Sequence, residues 1–340
     1  MPVTAGGAAA PSHGAIRVVF VLLDGSLVLD WAGPAEALRI ANQHLRAMGQ
    51  AERFAIEFAG PAPQSTGSLG IALAGLAPLP ALDAAHAPPA WVVLVGLPGQ
   101  TIDVGGAQAQ ALLAWLRGLR LARGRVELVA VCAGALLAAH AGLLAGRRAT
   151  THHEHLDELQ QAEPRCDVVA NRVFVADPPV YSSAGVTAGI DLMLHRIAET
   201  CGDALAARVA QTMVVALRRG PHDPALSPFL AHRDHLHAAL HRVQDAVSAR
   251  PQDDWTVPRM AALAATSPRN LARIFAEHAG IAPLLWLRGL RLAMAQAALA
   301  AGANVTQAAL GAGFASDTQL RRAWRQFGLA GSPGGGRRAD

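Results

Sequence analysis

The chain contains no lysine: all 29 of its Lys+Arg positions are arginine. Its cations are therefore planar guanidinium groups, suited to bidentate contact with phosphate or guanine rather than to acting as mobile point charges. A high-GC coding bias would produce the same arginine and alanine enrichment. Aromatics make up only 4% of the chain and charged residues 16%, against 52% hydrophobic residues. Such a balance excludes a solvated or disordered chain. Cysteine is scarce: Cys132, Cys166 and Cys201 are an odd set, too few for a disulfide framework, and fit a reducing cytoplasm. No uninterrupted apolar run approaches the roughly 18 residues of a membrane span. The opening MPVTAGGAAAPSHG has neither the basic start nor the apolar centre of a secretory signal. Residues 1–14 are expected to be a flexible tail.

What is present suits two domains, at 340 residues. A formal net charge of +4 and a pI of about 9.7 permit nucleic-acid binding without requiring it. In the first two thirds, apolar β-rich runs alternate with helical patterns. IRVVFVLL (16–23), FAIEFA (54–59), WVVLV (91–95) and VELVAV (126–131) read as strands buried on both faces. Helices are expected from about Pro34 to Ala47, with Pro34 in the first turn, and from about Ala107 to Arg123, where Leu112, Leu113, Trp115, Leu116 and Leu119 recur at helical spacing. This alternation predicts a parallel α/β sheet, which places ligand groups just beyond the carboxyl ends of its strands. Asp30, Gly96 and Cys132 all follow strand ends. From Gly185 to about Arg218 the pattern is helical. Strand signals then vanish, and RRGPHDPALSPF (218–229) reads as a proline-rich linker.

The second domain shows a repeat. In WTVPRMAALAATSPRNLARIFAEHAG (255–280), Val257, Met260, Ala261 and Leu263 are expected on the inner face of a first helix. Ser267 is an N-cap and Pro268 a first helical residue. Leu271, Ile274 and Phe275 then face inward, leaving Arg269, Asn270 and Arg273 outward. A recognition helix has this layout: apolar on the side that holds it, arginine and asparagine on the side that reaches base edges. VTQAALGAGFASDTQLRRAWRQFG (305–328) repeats it about 50 residues on. Gly311 and Gly313 supply the turn, Ser316 the N-cap, and Leu320, Ala323, Trp324 and Phe327 the inward face. Asp317, Thr318, Gln319, Arg321, Arg322 and Arg325 lie outward.

Through SPRNLARIFAEHAGIAP, LRGLRLAMA and GFASDTQLRRAWRQFG, residues 255–332 resemble an AraC/XylS-type DNA-binding domain. The resemblance implies two recognition helices, Ser267–Glu277 and Ser316–Gln326, in successive major grooves of double-stranded DNA. AATS (264–267) departs from the pattern, which usually has glycine before the serine.

Cys132 leaves its strand as Cys-Ala-Gly and enters a helix at once, as a nucleophile elbow does. A helix N-terminus favours thiolate, and backbone N–H groups near Ala133 would suit an oxyanion. A buried, inert cysteine fits the same residues, and both readings stand. With LLDGSLVLDWAGPAEAL, AGLLAGRRATTHHEH and VYSSAGVTAGIDLMLH, residues 16–215 resemble the ThiJ/PfpI superfamily, which is class I glutamine amidotransferase-like with a flavodoxin-like parallel sheet. They are most similar to its branch fused to AraC-type domains, the GlxA-type regulators. The resemblance matches Cys132 to the elbow cysteine, Asp30 to the acidic residue that approaches it, and His152 to a position that supplies histidine in some relatives. Gly96-Leu97 stands where catalytic relatives commonly have two glycines, and Leu97 would crowd an oxyanion hole.

The expected architecture is an α/β sensing domain over 15–217, a linker over 218–235, a helical DNA-binding domain over 236–332 and a tail over 333–340. The expected ligand site is Asp30, Gly96, Leu97, Cys132, Ala133 and His152, binding a small nitrogenous effector, with no cofactor and no metal, in a cytoplasmic homodimer that does not engage a membrane. The clustered His152, His153 and His155, and His237 with His241, have a spacing zinc sites use, but no cysteine or carboxylate frame accompanies the second pair. The competing reading is a cysteine-dependent hydrolase or isonitrile hydratase-like enzyme using Cys132 with Asp30. A third is a regulator whose Cys132 is redox-reactive.

Overall fold

Ile16–Val21 (β1) is apolar at nearly every position and buried along its length, so both faces must be covered by other elements. The structure is a computed structural model that describes residues 14–82, 87–215, 219–221, 228–229, 231–233, 235–300, 302–329 and 331–334. Residues 1–13 and 335–340 of the expected tails, and much of the expected linker, lie outside the described residues. The chain divides into two compact units, at 225/226.

In the first unit β1 is followed by α1 (Val28–Ala47), β2 (Phe54–Gly60), a hairpin of β3 (Gln64–Thr66) and β4 (Ala72–Ala74), and β5 (Ala77–Pro78). Next come β6 (Ala90–Leu94), α2 (Ala107–Arg117), β7 (Val126–Val131), α3 (Gly134–His140), β8 (Arg148–Ala149), α4 (Leu156–Ala162) and β9 (Asp167–Val168). The unit closes with β10 (Phe174–Asp177), β11 (Val180–Ser183), α5 (Thr187–Cys201) and α6 (Asp203–Thr212). Seven strands form one sheet in the order β10-β11-β7-β6-β1-β2-β5, parallel except for the antiparallel β10–β11 edge. The chain steps outward from β1 to β2 and then returns to the other side of β1 as β6. The switch point of this doubly wound sheet thus lies at the carboxyl ends of β1 and β6, where open α/β sheets bind ligands. β6 and β7 are fully buried. Glu127, the one charge on β7, pairs with buried Arg196 of α5, whose guanidinium lies between the rings of Trp91 and Tyr181 at 4.4 and 3.8 Å. This contact pins α5 to the sheet.

The structure corrects several boundaries. α1 begins six residues before Pro34, which lies inside the helix, so Asp30 sits in a helical first turn rather than a loop. Leu27 at the N-cap makes no side-chain cap, so no polar signal marked the start. α2 ends at Arg117, where Gly118 stops it short of the expected Arg123. β10 and β11 are strands that the sequence pattern did not announce.

The second unit is all helical: α7 (Ala238–Ala249), α8 (Val257–Leu263), α9 (Pro268–Ile274), a π turn at Phe275–Ala279, α10 (Pro283–Ala300), α11 (Val305–Gly311) and α12 (Asp317–Gln326). Each helix-turn-helix has its own small core. Leu271, Ile274 and Phe275 pack with Met260 and Trp286 in the first, and Leu320 and Ala323 with Ala308 and Phe314 in the second. α10 belongs to both, through Trp286, Leu287 and Leu290 on one side and Leu292 and Ala295 on the other. Caps are in place at the helix starts. Ser267 Oγ accepts the Asn270 N–H at 3.2 Å, Ser316 Oγ accepts the Gln319 N–H at 3.3 Å, and Asn304 forms a capping box with Gln307. Leu263, expected inward, is 42% exposed, and Ala264 takes the inner position because i, i+3, i+4, i+7 runs 257, 260, 261, 264. Phe327 is also partly exposed, although its ring lies beside Gly289.

Candidate functional site

Cys132 is the residue on which β7 turns into α3. Its φ of 56° lies in the left-handed region, and it is the sharp bend of an elbow. The bend is held from three sides. The Cys132 N–H donates to Ser183 O at 3.0 Å, Thr151 Oγ1 donates to Cys132 O at 2.8 Å, and a Cβ on Gly134 would lie 2.4 Å from Leu94 O. Gly134 is therefore required for α3 to start against β6.

The three strand-end residues converge as expected. Asp30, fully buried, accepts the Gly96 N–H through Oδ2 at 3.1 Å and the Val186 N–H through Oδ1 at 2.7 Å. A Cβ on Gly96 would meet Asp30 Oδ2 at 2.5 Å and Cys132 Cβ at 2.9 Å. One on Gly185 would meet Cys132 Cβ at 2.3 Å and Sγ at 2.7 Å. Both glycines let backbone lie directly over the cysteine. Val186 and Gly185, at the start of α5, were missed by the sequence reading. Val186 acts through its main-chain N–H, and its φ of 52° is uncommon for a β-branched residue.

The electrostatics correct one expectation. The Cys132 thiol is not eased toward thiolate by the helix start; it is pushed up to about 12, first by burial and then by the neighbouring Asp30 charge. The Ala133 N–H favours the thiolate but is outweighed. Burial likewise raises the Asp30 carboxyl above its ordinary value, against the two N–H bonds that favour its charge. The Gly96 N–H is committed to Asp30 and is not presented to an oxyanion. Leu97 is half-buried against the core. Among the described residues no hydrogen bond links His152 to Cys132, although the adjacent Thr151 bonds the Cys132 carbonyl. The His152 ring lies 4.3 Å from that of His153 and its Nδ1 3.4 Å from Glu154. Burial and the adjacent His153 hold its imidazole below the usual value. No group of three His, Cys, Asp or Glu among the described residues is arranged to hold a metal ion. His237 caps α7 by accepting the Leu240 N–H.

In the second unit Arg269, Arg273, Thr318, Gln319, Arg321, Arg322 and Arg325 are all exposed on α9 and α12, with Asn270 half-buried beside them. Arg321 pairs loosely with Asp317 at 3.8 Å. Arg273 is held tightly by Asn270 and Glu277. The two helices thus offer cationic, hydrogen-bonding faces opposite their apolar anchors.

Comparisons with known proteins agree with both units. Residues 16–199 match the DJ-1/PfpI family and residues 260–330 a helix-turn-helix domain. The chain is 30% identical over 307 residues to the HTH-type transcriptional regulator CdhR of Pseudomonas aeruginosa, covering 90% of this chain and 87% of that one. It is 29% identical over 336 residues to the HTH-type transcriptional regulator GlxA of Rhizobium meliloti, covering 97% and 98%. An isonitrile hydratase of Pseudomonas putida is 38% identical over 96 residues, but these span only 28% of this chain and 38% of the enzyme. The likeness to the regulators runs through both units, and that to the enzyme stops within a fragment. The chain belongs to the HTH-type transcriptional regulators that join a DJ-1/PfpI domain to an AraC-type helix-turn-helix domain, and it is a DNA-binding regulator.

Proposed function

We propose that the first unit is a sensor that binds a small nitrogenous metabolite beside Asp30, Gly96, Leu97, Cys132, Ala133 and His152, and that occupancy changes how tightly the second unit holds its operator. Arg269, Asn270, Arg273, Thr318, Gln319, Arg321, Arg322 and Arg325 form the DNA face in this reading. The observation that carries it is Asp30. This buried carboxylate ties together the backbones of two elements beside a thiol that stays protonated. A hydrolase or hydratase would need that thiol ionised. A ligand ammonium or N–H competing for Asp30 would instead release Gly96 or Val186.

Release at Val186 has a route onward. One turn into α5, Asp191 grips Arg219, accepting its N–H at 3.0 Å and its Nε and Nη2 at 2.8 and 2.6 Å. Arg219 Nη2 also donates to Thr187 Oγ1 at 2.9 Å. The first residues of the expected linker therefore hang on the helix whose start Asp30 holds. The ligand acts only through different affinities for the gripped and released arrangements.

The regulator works in the cytoplasm as a homodimer formed through the first unit. Leu29, Leu69 and Ile71 are exposed, and the hairpin turn carrying the latter two is tied to the start of α1 by the Ser68 N–H to Ser26 O bond at 3.0 Å. Light scattering of the wild type and of Leu69→Glu would read the dimer directly. The sensor reading is tested by thermal shift of the full chain against a panel of betaines, amino acids and small amines. A binder should raise the melting temperature of the wild type and of Cys132→Ser but not of Asp30→Asn, and should change operator affinity. Turnover of amides or isonitriles that is lost in Cys132→Ser would overturn it.

A further inference from the structure

The two helix-turn-helix units superpose in sequence with a constant offset that pairs Ser267 with Ser316, Leu271 with Leu320, Asn270 with Gln319, Arg273 with Arg322 and Glu277 with Gln326. The paired arginines are treated differently. Arg273 donates to Asn270 Oδ1 through Nε and Nη2 at 3.2 and 2.8 Å, and to both Glu277 oxygens through Nη1 at 2.7 Å. Asn270 is itself anchored, its Nδ2 donating to Thr266 Oγ1 at 2.7 Å. Among the described residues Arg322 has no such clasp. Gln319 Oε1 instead accepts the Ala315 N–H, and Gln326 Oε1 accepts from Arg288 Nη1 at 2.7 Å. Arg322 and Arg288 face one cleft of about 500 Å³.

The clasp has little value for stability. Arg273 and Glu277 side chains are 60% and 49% exposed, and an exposed i, i+4 pair stabilises a helix only slightly. Its effect is on orientation and on choice of partner. It fixes the guanidinium plane before binding, so less side-chain freedom is lost on contact. It also sets a carboxylate beside the arginine, which repels phosphate while leaving a base edge acceptable. The backbone accommodates it: Ser267 to Gly280 is one residue longer than Ser316 to Gly328, and the π turn at Phe275–Ala279, which contains Glu277, absorbs the extra residue.

We propose that Glu277, with Asn270, is a positioning residue that presents Arg273 to a guanine, so that the first helix-turn-helix supplies base specificity while the second supplies phosphate affinity through Arg322 and Arg288. The proposal rests on the reading that α9 and α12 enter the DNA grooves.

The test uses the full chain. A randomised duplex library is first selected with the wild type. Affinities for the enriched duplex and for a scrambled duplex of equal length are then measured over a salt series. Glu277→Gln and Arg273→Lys should each lower the enriched-to-scrambled ratio about tenfold, with scrambled binding kept or tightened in Glu277→Gln. Arg322→Lys should leave the ratio within about twofold. Arg322→Ala and Arg288→Ala should weaken both duplexes alike and reduce the salt slope by about one each. Equal weakening of both duplexes by Glu277→Gln, or loss of preference in Arg322→Lys but not in Arg273→Lys, would overturn the proposal. Binding unchanged by both Arg273→Ala and Arg322→Ala would remove the groove reading beneath it, a result separable from either.

Discussion

The Asp30 carboxylate accepts the Val186 N–H across 156 positions of sequence, joining the first turn of α1 to the start of α5. Its other oxygen takes the N–H of Gly96, which is itself buried. Asp30→Ala should therefore cost about 2–3 kcal/mol, since two backbone donors, one of them buried, are left without their acceptor. Urea unfolding of the wild type and variant measures it. A cost below about 0.5 kcal/mol would mean that the burial penalty on the carboxylate cancels its bonds.

The thiol makes a pH prediction. Cys132 ionises near 12 in the folded chain against 9.0 for an ordinary cysteine. A raised folded value stabilises fully below the unfolded value and is lost as pH rises, so the window runs from about 9 to 12. The urea midpoint should fall more steeply between pH 8 and 10.5 in the wild type than in Cys132→Ala. Asp30 has the same sign: its contribution is greatest below the ordinary carboxyl value and declines as pH rises through its own. At pH 7.5 iodoacetamide should alkylate Cys132 at least about a hundredfold more slowly than a free thiol, because the thiolate is the nucleophile. Rapid alkylation would restore the enzyme reading.

Gly185 has φ +91°, and a Cβ there would lie 2.3 Å from Cys132 Cβ. Gly185→Ala combines left-handed backbone strain with overpacking and should destabilise the first unit by about 3 kcal/mol or more. Adding Cys132→Gly removes the atom it strikes and should recover part of the loss. Independent, additive costs in the double variant would show that the contact is not the cause.

Ala265 occupies the left-handed turn of the first helix-turn-helix at φ 51°, where Gly313 serves the second at φ 84°. An alanine there costs roughly 1–2 kcal/mol, partly offset by its smaller loss of backbone freedom. Ala265→Gly should stabilise the second unit by about 0.5–1 kcal/mol and raise its melting temperature. A lower melting temperature would show that the turn depends on the alanine methyl. The AATS departure in the sequence thus sets a non-glycine residue at a left-handed position.

How far the sequence foretold this architecture follows from where the information lay. β1, β2, β6 and β7 were legible because strands buried on both faces must be apolar throughout. β10 and β11 were not, being four residues each and joined through Pro178 and Pro179, which read as breakers. The recognition helices were legible because serine caps and apolar spacing recur in both copies. The convergence of Asp30, Gly96 and Cys132 followed from strand ends alone. Val186 could not be found that way, since its contribution is a main-chain N–H in a conformation its side chain disfavours. Glu277 left a signal four residues after Arg273, but only the uncharged Gln326 in the second copy gives that spacing meaning.

α10 runs for 18 residues as one helix, about 27 Å at the usual rise, and its two halves are built into the two small cores of the second unit. A loop in that place would let α9 and α12 turn independently of each other. A continuous helix instead transmits torsion. One residue inserted between Leu290 and Leu292 would turn the second core by about 100° against the first, so the angular phase between α9 and α12 is encoded in the length of the one helix that joins their cores.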